Sequence, residues 1–434
     1  MHHIGRVTID GFWETHEVDF VLNPEVNFLI GQNGTGKTTV INLVAAALTV
    51  DFNTLDRIAF RKLTIILDGE IKGREPRIVV TKNRKKDQPF VSINYNINTG
   101  GRDGEDYRMS LDDYQEQALI RRYPHNARYA RDYYRNASSG MLSILSEMTN
   151  VNWISVHRTP TIDKARDDVN YESTVDRRLS EISNDLVKFF ANLSAKKDIE
   201  IRAFQEYFFT SLLEQEDEFT DHLSTYGLER LSVYEKALTS IFEELHVSQY
   251  NTNRLINSFI RRGTEVRDRF RERDENTSKS VKIDDVVFLY GFRRISAIVE
   301  RWNSLQNKLS EIFSPRDNYL KICEGFFQRK RLELTSTNEI RFITRTDKNL
   351  TPQMLSSGEK QLLILLSETL LQNEQKSIFI ADEPELSLHV LWQEKLIGSL
   401  RALNPHAQII AATHSPDIVG PLSDRVIDME KIIP

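Results

Sequence analysis

Four groups of residues carry side chains that could act on a phosphate ester. The first lies in Gly31-Gln32-Asn33-Gly34-Thr35-Gly36-Lys37-Thr38-Thr39, which fits the pattern G-x-x-x-x-G-K-[ST]. Glycines let the backbone curl, so that N–H groups from Asn33 through Gly34, Thr35 and Gly36 to Thr39 turn inward toward phosphate oxygens. Lys37 can reach the terminal phosphates, and the Thr38 hydroxyl can ligate Mg²⁺. The second group is Ser356-Ser357-Gly358, at the head of the apolar run that begins with Leu362. Hydroxyls and a glycine at a helix N-terminus make an anion site, although a well-capped core helix would read the same way. The third is Asp382-Glu383, where a metal-holding carboxylate sits beside one able to polarise a water molecule. The fourth is His414, a donor for a terminal phosphate.

Each group must be held by an element, and the flanking sequence supplies one. Val26-Asn27-Phe28-Leu29-Ile30 reads as a buried strand before the glycine loop, and Val40 to Leu48 as a helix after it. Strand, loop, helix is the context the pattern requires. A glycine turn before an amphipathic helix is the simpler alternative for that segment alone. Ser356 and Glu359 fit the capping box S-x-x-E. Ser377-Ile378-Phe379-Ile380-Ala381 is a short buried strand that delivers Asp382 and Glu383, and Gln408-Ile409-Ile410-Ala411-Ala412 is another that delivers His414. Each element alone has an ordinary explanation; their joint occurrence in this order points to a nucleotide site.

Elsewhere, alternating runs at residues 6–10, 17–22, 64–68, 77–81 and 90–95 predict an antiparallel β layer in the first part of the chain. Lys82-Asn83-Arg84-Lys85-Lys86-Asp87 would be a basic hairpin tip. Residues 96–106 predict a loop, and Val151 to Val156 a further strand. Residues 121–135 interleave arginine with tyrosine (Arg121, Arg122, Tyr123, Arg128, Tyr129, Arg131, Tyr133, Tyr134, Arg135), a pattern suited to nucleic acid or to a protein surface. From about residue 172 to residue 327 strand patterns vanish, and apolar residues recur at helical spacing, as in Leu179, Ile182, Leu186 and Phe190. The heptads are too short for an extended coiled coil, so this part predicts several packed helices. Mixed signs around Arg261, Arg262, Arg267, Arg269, Arg271 and Arg273 favour a solvated helix face over a phosphate track, and residues 274–282 predict a loop. Residues 331–335 and 339–344 predict a hairpin about Thr337-Asn338.

The chain has 434 residues, 40% hydrophobic and 28% charged, with a formal net charge of −6. That excludes a polycation, so nucleic-acid contact would need a local basic patch. Cys323 is the only cysteine, which excludes an internal disulfide and a cysteine zinc site. The start lacks a signal-peptide apolar core and no apolar run is long enough for a bilayer, so a cytoplasmic protein without membrane contact is expected.

Taken together, the order G-x-x-G-x-G-K-T, L-S-S-G-E, A-D-E-P, A-T-H-S resembles an ABC-type ATPase. Within that class the likeness is to the RecF, SMC and OLD group. The opening Val7-Thr8-Ile9-Asp10-Gly11-Phe12 and the run Glu383-Pro384-Glu385-Leu386-Ser387-Leu388-His389 are similar to OLD-like ATPases. The resemblance covers roughly residues 1–68 and 332–434. It implies an α/β fold, an ABC-type head with an antiparallel β layer in two halves at 1–170 and 329–434; the helical spacing makes 171–328 an insertion between them. It implies ATP and Mg²⁺ as ligands, with Thr38 and Asp382 on the metal and Glu383 and His414 catalytic. It also implies that Ser356, Ser357 and Gly358 contact the ATP held by another subunit. One chain then makes half of each site, and ATP joins two heads into a dimer or a multiple of it.

Three departures stand out. Trp13 follows Phe12 where the group often has a basic residue, so an indole is offered to the base instead of a charge to the phosphates. Glu359 replaces the glutamine common in transporter signatures, and the Q-loop glutamine is matched by order alone to Gln115 or Gln117. OLD-type proteins carry a fused Toprim nuclease, for which the residues after His414 leave no room. The expectation is therefore an effector in trans, as in the anti-phage system called PARIS, with Septu-type and retron-associated ATPases as rivals. A DNA-binding ATPase of repair or chromosome maintenance is the alternative; a transporter subunit fits the helical insertion poorly.

Overall fold

A computed structural model describes residues 1–69, 74–84, 91–101, 104–110, 140–155, 174–213, 227–245, 247, 249–275 and 282–433. Gln115, Gln117, the arginine–tyrosine stretch at 121–135 and residues 85–87 of the basic tip lie outside them. The chain is α/β, and it divides into two compact units: 1–187 with 318–434, and 188–317.

Among the described residues the first unit holds three sheets. Strands β1 (Ile4–Phe12), β2 (His16–Val21), β4 (Lys62–Leu67), β5 (Arg77–Arg84), β6 (Val91–Asn98) and β7 (Asp106–Ser110) form an antiparallel sheet in the order β2-β1-β4-β5-β6-β7. A five-stranded sheet has the order β14-β3-β13-β12-β8, from β3 (Val26–Ile30), β8 (Val151–Ser155), β12 (Ser377–Asp382), β13 (Ala407–Ala412) and β14 (Val426–Asp428). All of its pairings are parallel. The third sheet comprises β9 (Lys330–Leu334), β10 (Ile340–Thr344) and β11 (Asn349–Leu350).

Helix α1 (Lys37–Leu48) explains how the two large sheets share one core. Its Val40, Ile41, Leu43, Val44, Ala45, Ala46, Ala47 and Leu48 are all buried, so it lacks a solvent face. Val7 and Phe20 from the antiparallel sheet, and Leu29, Ile380 and Ile410 from the parallel one, line a common space with Val40, Ile41 and Val44. The antiparallel sheet shows the alternation of a layer covered on one face: in β4, Leu63, Ile65 and Leu67 are buried and the residues between them are not. Strands β12 and β13 are buried at every position, as expected of parallel strands covered on both faces.

Helix α2 (Phe52–Arg57) follows α1, and Lys82 donates to the carbonyls of Leu55, Asp56 and Ile58 at its end. Helix α3 (Thr174–Leu213) starts in the first unit, where Asp176 accepts from Lys360 at 2.6 Å and Arg178 pairs with Glu368 at 2.7 Å. Lys360 and Glu368 both lie on α7 (Ser357–Leu371). Burial pushes the Glu368 carboxyl up, and the Arg178 guanidinium opposes that shift.

The second unit, 188–317, holds the rest of α3, then α4 (Leu231–Glu244), α5 (Gln249–Glu275) and most of α6 (Ile283–Phe326). Its cores are aromatic: Phe204 meets Trp302 edge-on at 5.2 Å, and Phe292 stacks with Phe259 and Phe288. Buried Asp285 accepts from both Arg262 and Arg269, so part of the arginine-rich stretch is an internal ion-pair network. Four local readings change. Asp274 and Glu275 continue α5 instead of opening a loop, residues 96–98 complete β6 and residue 106 begins β7 instead of lying in a loop, and Lys82, Asn83 and Arg84 continue β5 instead of forming a hairpin tip. In each place polar composition was outweighed by continuing backbone hydrogen bonds, in a helix or in the β5–β6–β7 ladders. Among the described residues no helix is long and apolar enough to cross a membrane.

Candidate functional site

The site is built at the carboxyl edge of the parallel sheet, where such sheets bind ligands because the loops and helix N-termini collect there. Register makes the strand ends level. Asp382 pairs with Ala412, Ala412 with Leu29, and Asp428 with Ile30. The loops after β3, β12, β13 and β14 therefore open side by side.

The glycine loop runs from Gly31, with positive φ at Gly31, Gly34 and Gly36. Gly36 has φ +87°, and a Cβ there would lie 3.1 Å from both Phe12 Cε1 and Trp13 Cη2. Only glycine accommodates that backbone under those rings. Trp13 stacks on Phe12 at 4.6 Å between centroids, and its indole is 39% exposed beside the loop. Thr35 closes the loop internally, its hydroxyl donating to Gln32 O at 2.9 Å. Asn33 and Thr39 are exposed and intermediate respectively, the latter within the first turn of α1.

Lys37 is 5% exposed, and its ammonium donates to Gly31 O at 2.8 Å and Gln32 O at 2.9 Å. Burial lowers its pKa, and the carboxylates of Glu383, Asp382 and Glu430 act against that shift. The Thr38 hydroxyl donates to Asp382 Oδ1 at 3.0 Å. Two hard oxygen ligands from opposite ends of the sequence thus adjoin. That donor set suits Mg²⁺, which takes one or two protein oxygens and completes its shell with phosphates and water. Among the described residues no cluster of three or more His, Cys, Asp or Glu could hold a metal alone.

Glu383 lies one residue beyond β12, with φ +45° and its N–H donating to Ala412 O at 2.9 Å. The kink turns its carboxylate off the strand axis, and His414 Nε2 lies 4.0 Å from its Oε1. Lys37, Thr38, Asp382, Glu383 and His414 are therefore gathered at one edge.

Ser356, Ser357 and Gly358 are placed differently. They begin α7, capped by Ser356, whose N–H and hydroxyl both donate to Glu359 Oε2, at 2.9 and 2.8 Å. Lys330 holds the other Glu359 oxygen at 2.5 Å, which accounts for an acid at this position. Ser356 and Ser357 are exposed, whereas Gly358 packs on the turn after Pro384. A Cβ on Gly358 would lie 2.3 Å from Ser387 O, and Ser387 itself has φ +69°. Gly358→Ala is expected to cost about 1–3 kcal/mol by overpacking. Chemical denaturation checks this, and an unchanged midpoint would contradict the packing.

Two contributors were not legible as site residues. Glu430, in α9 (Met429–Ile432), accepts the Gln32 N–H at 2.7 Å and so braces the loop from the β14 side. Helix α8 (Val390–Leu403) contributes Gln393, which accepts from the Ser415 hydroxyl at 2.7 Å. Neither belongs to a motif; only sheet order puts them here.

A glycine loop with its lysine, a threonine in contact with an aspartate, and a glutamate–histidine pair at the edge of one parallel sheet are the arrangement of a nucleotide-binding ATPase head. A family model described as "AAA domain, putative AbiEii toxin, Type IV TA system" matches residues 26–420, and the chain belongs to this family. Among solved structures it is similar to the Smc head domain with an extended coiled coil bound to the C-terminal domain of ScpA, from Pyrococcus furiosus. That match has 12% identity, covers 96% of this chain and 91% of the other, and has a TM-score of 0.42. It is also similar to the Smc head with a coiled coil and joint from Pyrococcus yayanosii, at 13% identity, 96% and 93% coverage and TM-score 0.37. A third, the Smc head bound to the C-winged helix domain of ScpA, matches at 12% identity, 96% and 91% coverage and TM-score 0.40.

Proposed function

We propose that the chain is an ATP-hydrolysing switch whose heads assemble around ATP and whose state controls a separate effector in phage defence. The observation that carries this reading is the meeting of Thr38 with Asp382, beside Lys37, Glu383 and His414, at one sheet edge. Loop N–H groups and Lys37 would hold the phosphates of ATP, and Thr38 and Asp382 would hold Mg²⁺, which neutralises charge on the transferred phosphoryl group. Glu383 orients the attacking water and draws off its proton, while His414 donates to the terminal phosphate. Trp13 offers the base an exposed indole face; Trp13→Ala is expected to raise the KM for ATP several-fold, with kcat nearly unchanged. An unaltered KM would remove Trp13 from the site.

Assembly is supported by the placement of the signature. Ser356 and Ser357 face solvent at the tip of α7, and large apolar side chains nearby in sequence (Met354, Leu386, Val390 and Leu391) are also exposed. Such a surface suits a second copy of the chain, whose bound ATP would be completed by these hydroxyls and the helix N-terminus. The toxin–antitoxin wording of the family description supports a defence role; in this reading the killing chemistry is supplied by a partner such as a Toprim nuclease. The test is to express the tagged chain with its native neighbouring genes and identify by mass spectrometry what is retained with and without ATP. Recovery of an ATP-dependent nuclease partner supports the reading. Retention of DNA alone, weakened by salt, would replace it with the DNA-maintenance alternative.

A further inference from the structure

The loops after β12 and β13 are tied together by a carboxylate that the reaction itself does not require. Glu385 Oε1 accepts the Thr413 hydroxyl at 2.6 Å and the His414 main-chain N–H at 3.1 Å. Its second oxygen is buried and has no hydrogen-bond partner among the described residues. The orientation of this carboxylate is therefore governed by the two donors at the exit of β13. The neighbouring ties run the same way. Ser415 donates to Gln393 at 2.7 Å, Gln393 donates to Leu388 O at 2.9 Å, and Gln361 of α7 donates to Pro384 O at 3.3 Å. Glu383 and His414 thus project from two loops pinned to each other by Glu385, which lies two residues after Glu383 and accepts from Thr413 and from the His414 N–H.

From this geometry we infer that Glu385 is a positioning residue: it fixes the backbone of His414 so that the imidazole stays beside the Glu383 carboxylate. The inference rests on the ATPase reading for its kinetic consequence but not for its structural one. Glu385 acts through Thr413 and His414 and touches no reacting atom. Ground-state binding of ATP, held by the phosphate loop, does not depend on it. Small displacements of a reacting group cost rate more than binding, because the aligned geometry is needed only as the bond breaks.

Three variants test this. Glu385→Ala removes the acceptor and is expected to lower kcat by about tenfold or more, with the KM for ATP within about twofold of native. Glu385→Gln keeps a carbonyl oxygen for both donors and is expected to restore kcat to within a few-fold of native. Thr413→Val removes one donor and is expected to give an intermediate kcat; it also serves if Glu385→Ala does not fold. A native kcat in Glu385→Ala, or a rise in KM matching the loss of kcat, would overturn the role. A Glu385→Gln variant as impaired as Glu385→Ala would also overturn it. The His414 ring signal, followed by NMR with labelled histidine and assigned with His414→Gln, is expected to move in Glu385→Ala and hold in Glu385→Gln. That readout needs no turnover. A native chain without ATPase activity would sink the functional reading alone, while an unmoved His414 signal in Glu385→Ala sinks the positioning role.

Discussion

Lys37→Ala is expected to weaken ATP binding by roughly 30-fold to several thousand-fold. The ammonium is 5% exposed and donates to two loop carbonyls at the mouth of α1, with Thr38 and Asp382 joined beside it. It is the cation through which the loop can engage the charged phosphates directly, and alanine leaves that charge to backbone dipoles. Truncating one partner of a largely desolvated charge pair costs about 2–5 kcal/mol, a loss of roughly 30-fold to several thousand-fold in affinity. Titration calorimetry with ATP and Mg²⁺ measures it directly. The fold should survive, because Lys37 is held by hydrogen bonds to its own loop and α1 is anchored by Val40, Ile41, Leu43 and Val44. Circular dichroism of the variant controls for this. Native ATP affinity in a folded Lys37→Ala chain would overturn the assignment of the glycine loop.

Glu383→Gln separates binding from turnover. The amide keeps the size of the side chain but cannot take a proton from water, so kcat is expected to fall by about 10²–10⁴ with little change in KM. Asp382, which accepts from Thr38, is untouched, so the Thr38–Asp382 contact stays intact. If ATP joins two heads and hydrolysis parts them, this variant accumulates the joined state. Size-exclusion chromatography with light scattering should then show twice the monomer mass, or a multiple of that, with ATP and Mg²⁺, and the monomer without them. A Glu383→Gln chain that hydrolyses at the native rate would remove Glu383 from catalysis. One that binds ATP yet stays monomeric would remove the sandwich.

Much of the candidate site was legible because its residues are concentrated in short runs. Gly36-Lys37-Thr38 are contiguous, as they would have to be for one loop and one helix turn to present glycine backbone, ammonium and hydroxyl to the same phosphates. Ser356 and Glu359 announce a capped helix start three residues apart, and the structure forms that cap, with Lys330 added from β9. Strands buried on both faces read as unbroken apolar runs, so β12 and β13 could be marked with the residues they deliver.

Helix length was harder to read. Helix α3 runs 40 residues and α6 runs 44, the latter through Pro315, and their apolar periodicity changes partner along the way. A sequence window registers each change of partner as a new helix, because hydrophobic period reports what a segment packs on and not where the segment stops.

By itself the sequence determined the chemical inventory and the local conformations around it: a glycine loop before a helix, a capped helix at Ser356, and strands ending in Asp382 and before His414. These follow from contiguous residues, whose backbone preferences and side-chain reach act within a turn or two. The tertiary structure decided adjacency. The order β14-β3-β13-β12 places Asp382 against Thr38 across 344 positions of chain, sets Glu430 on Gln32 across 398, and lets Glu385 grip Thr413 and His414. Parallel strands are joined by long crossovers, so their neighbours are chosen by the packing of whole layers around α1 and not by any local signal. For that reason Lys37 and Thr38 could be named from the sequence, while the residues that hold their partners in place emerged only from the sheet.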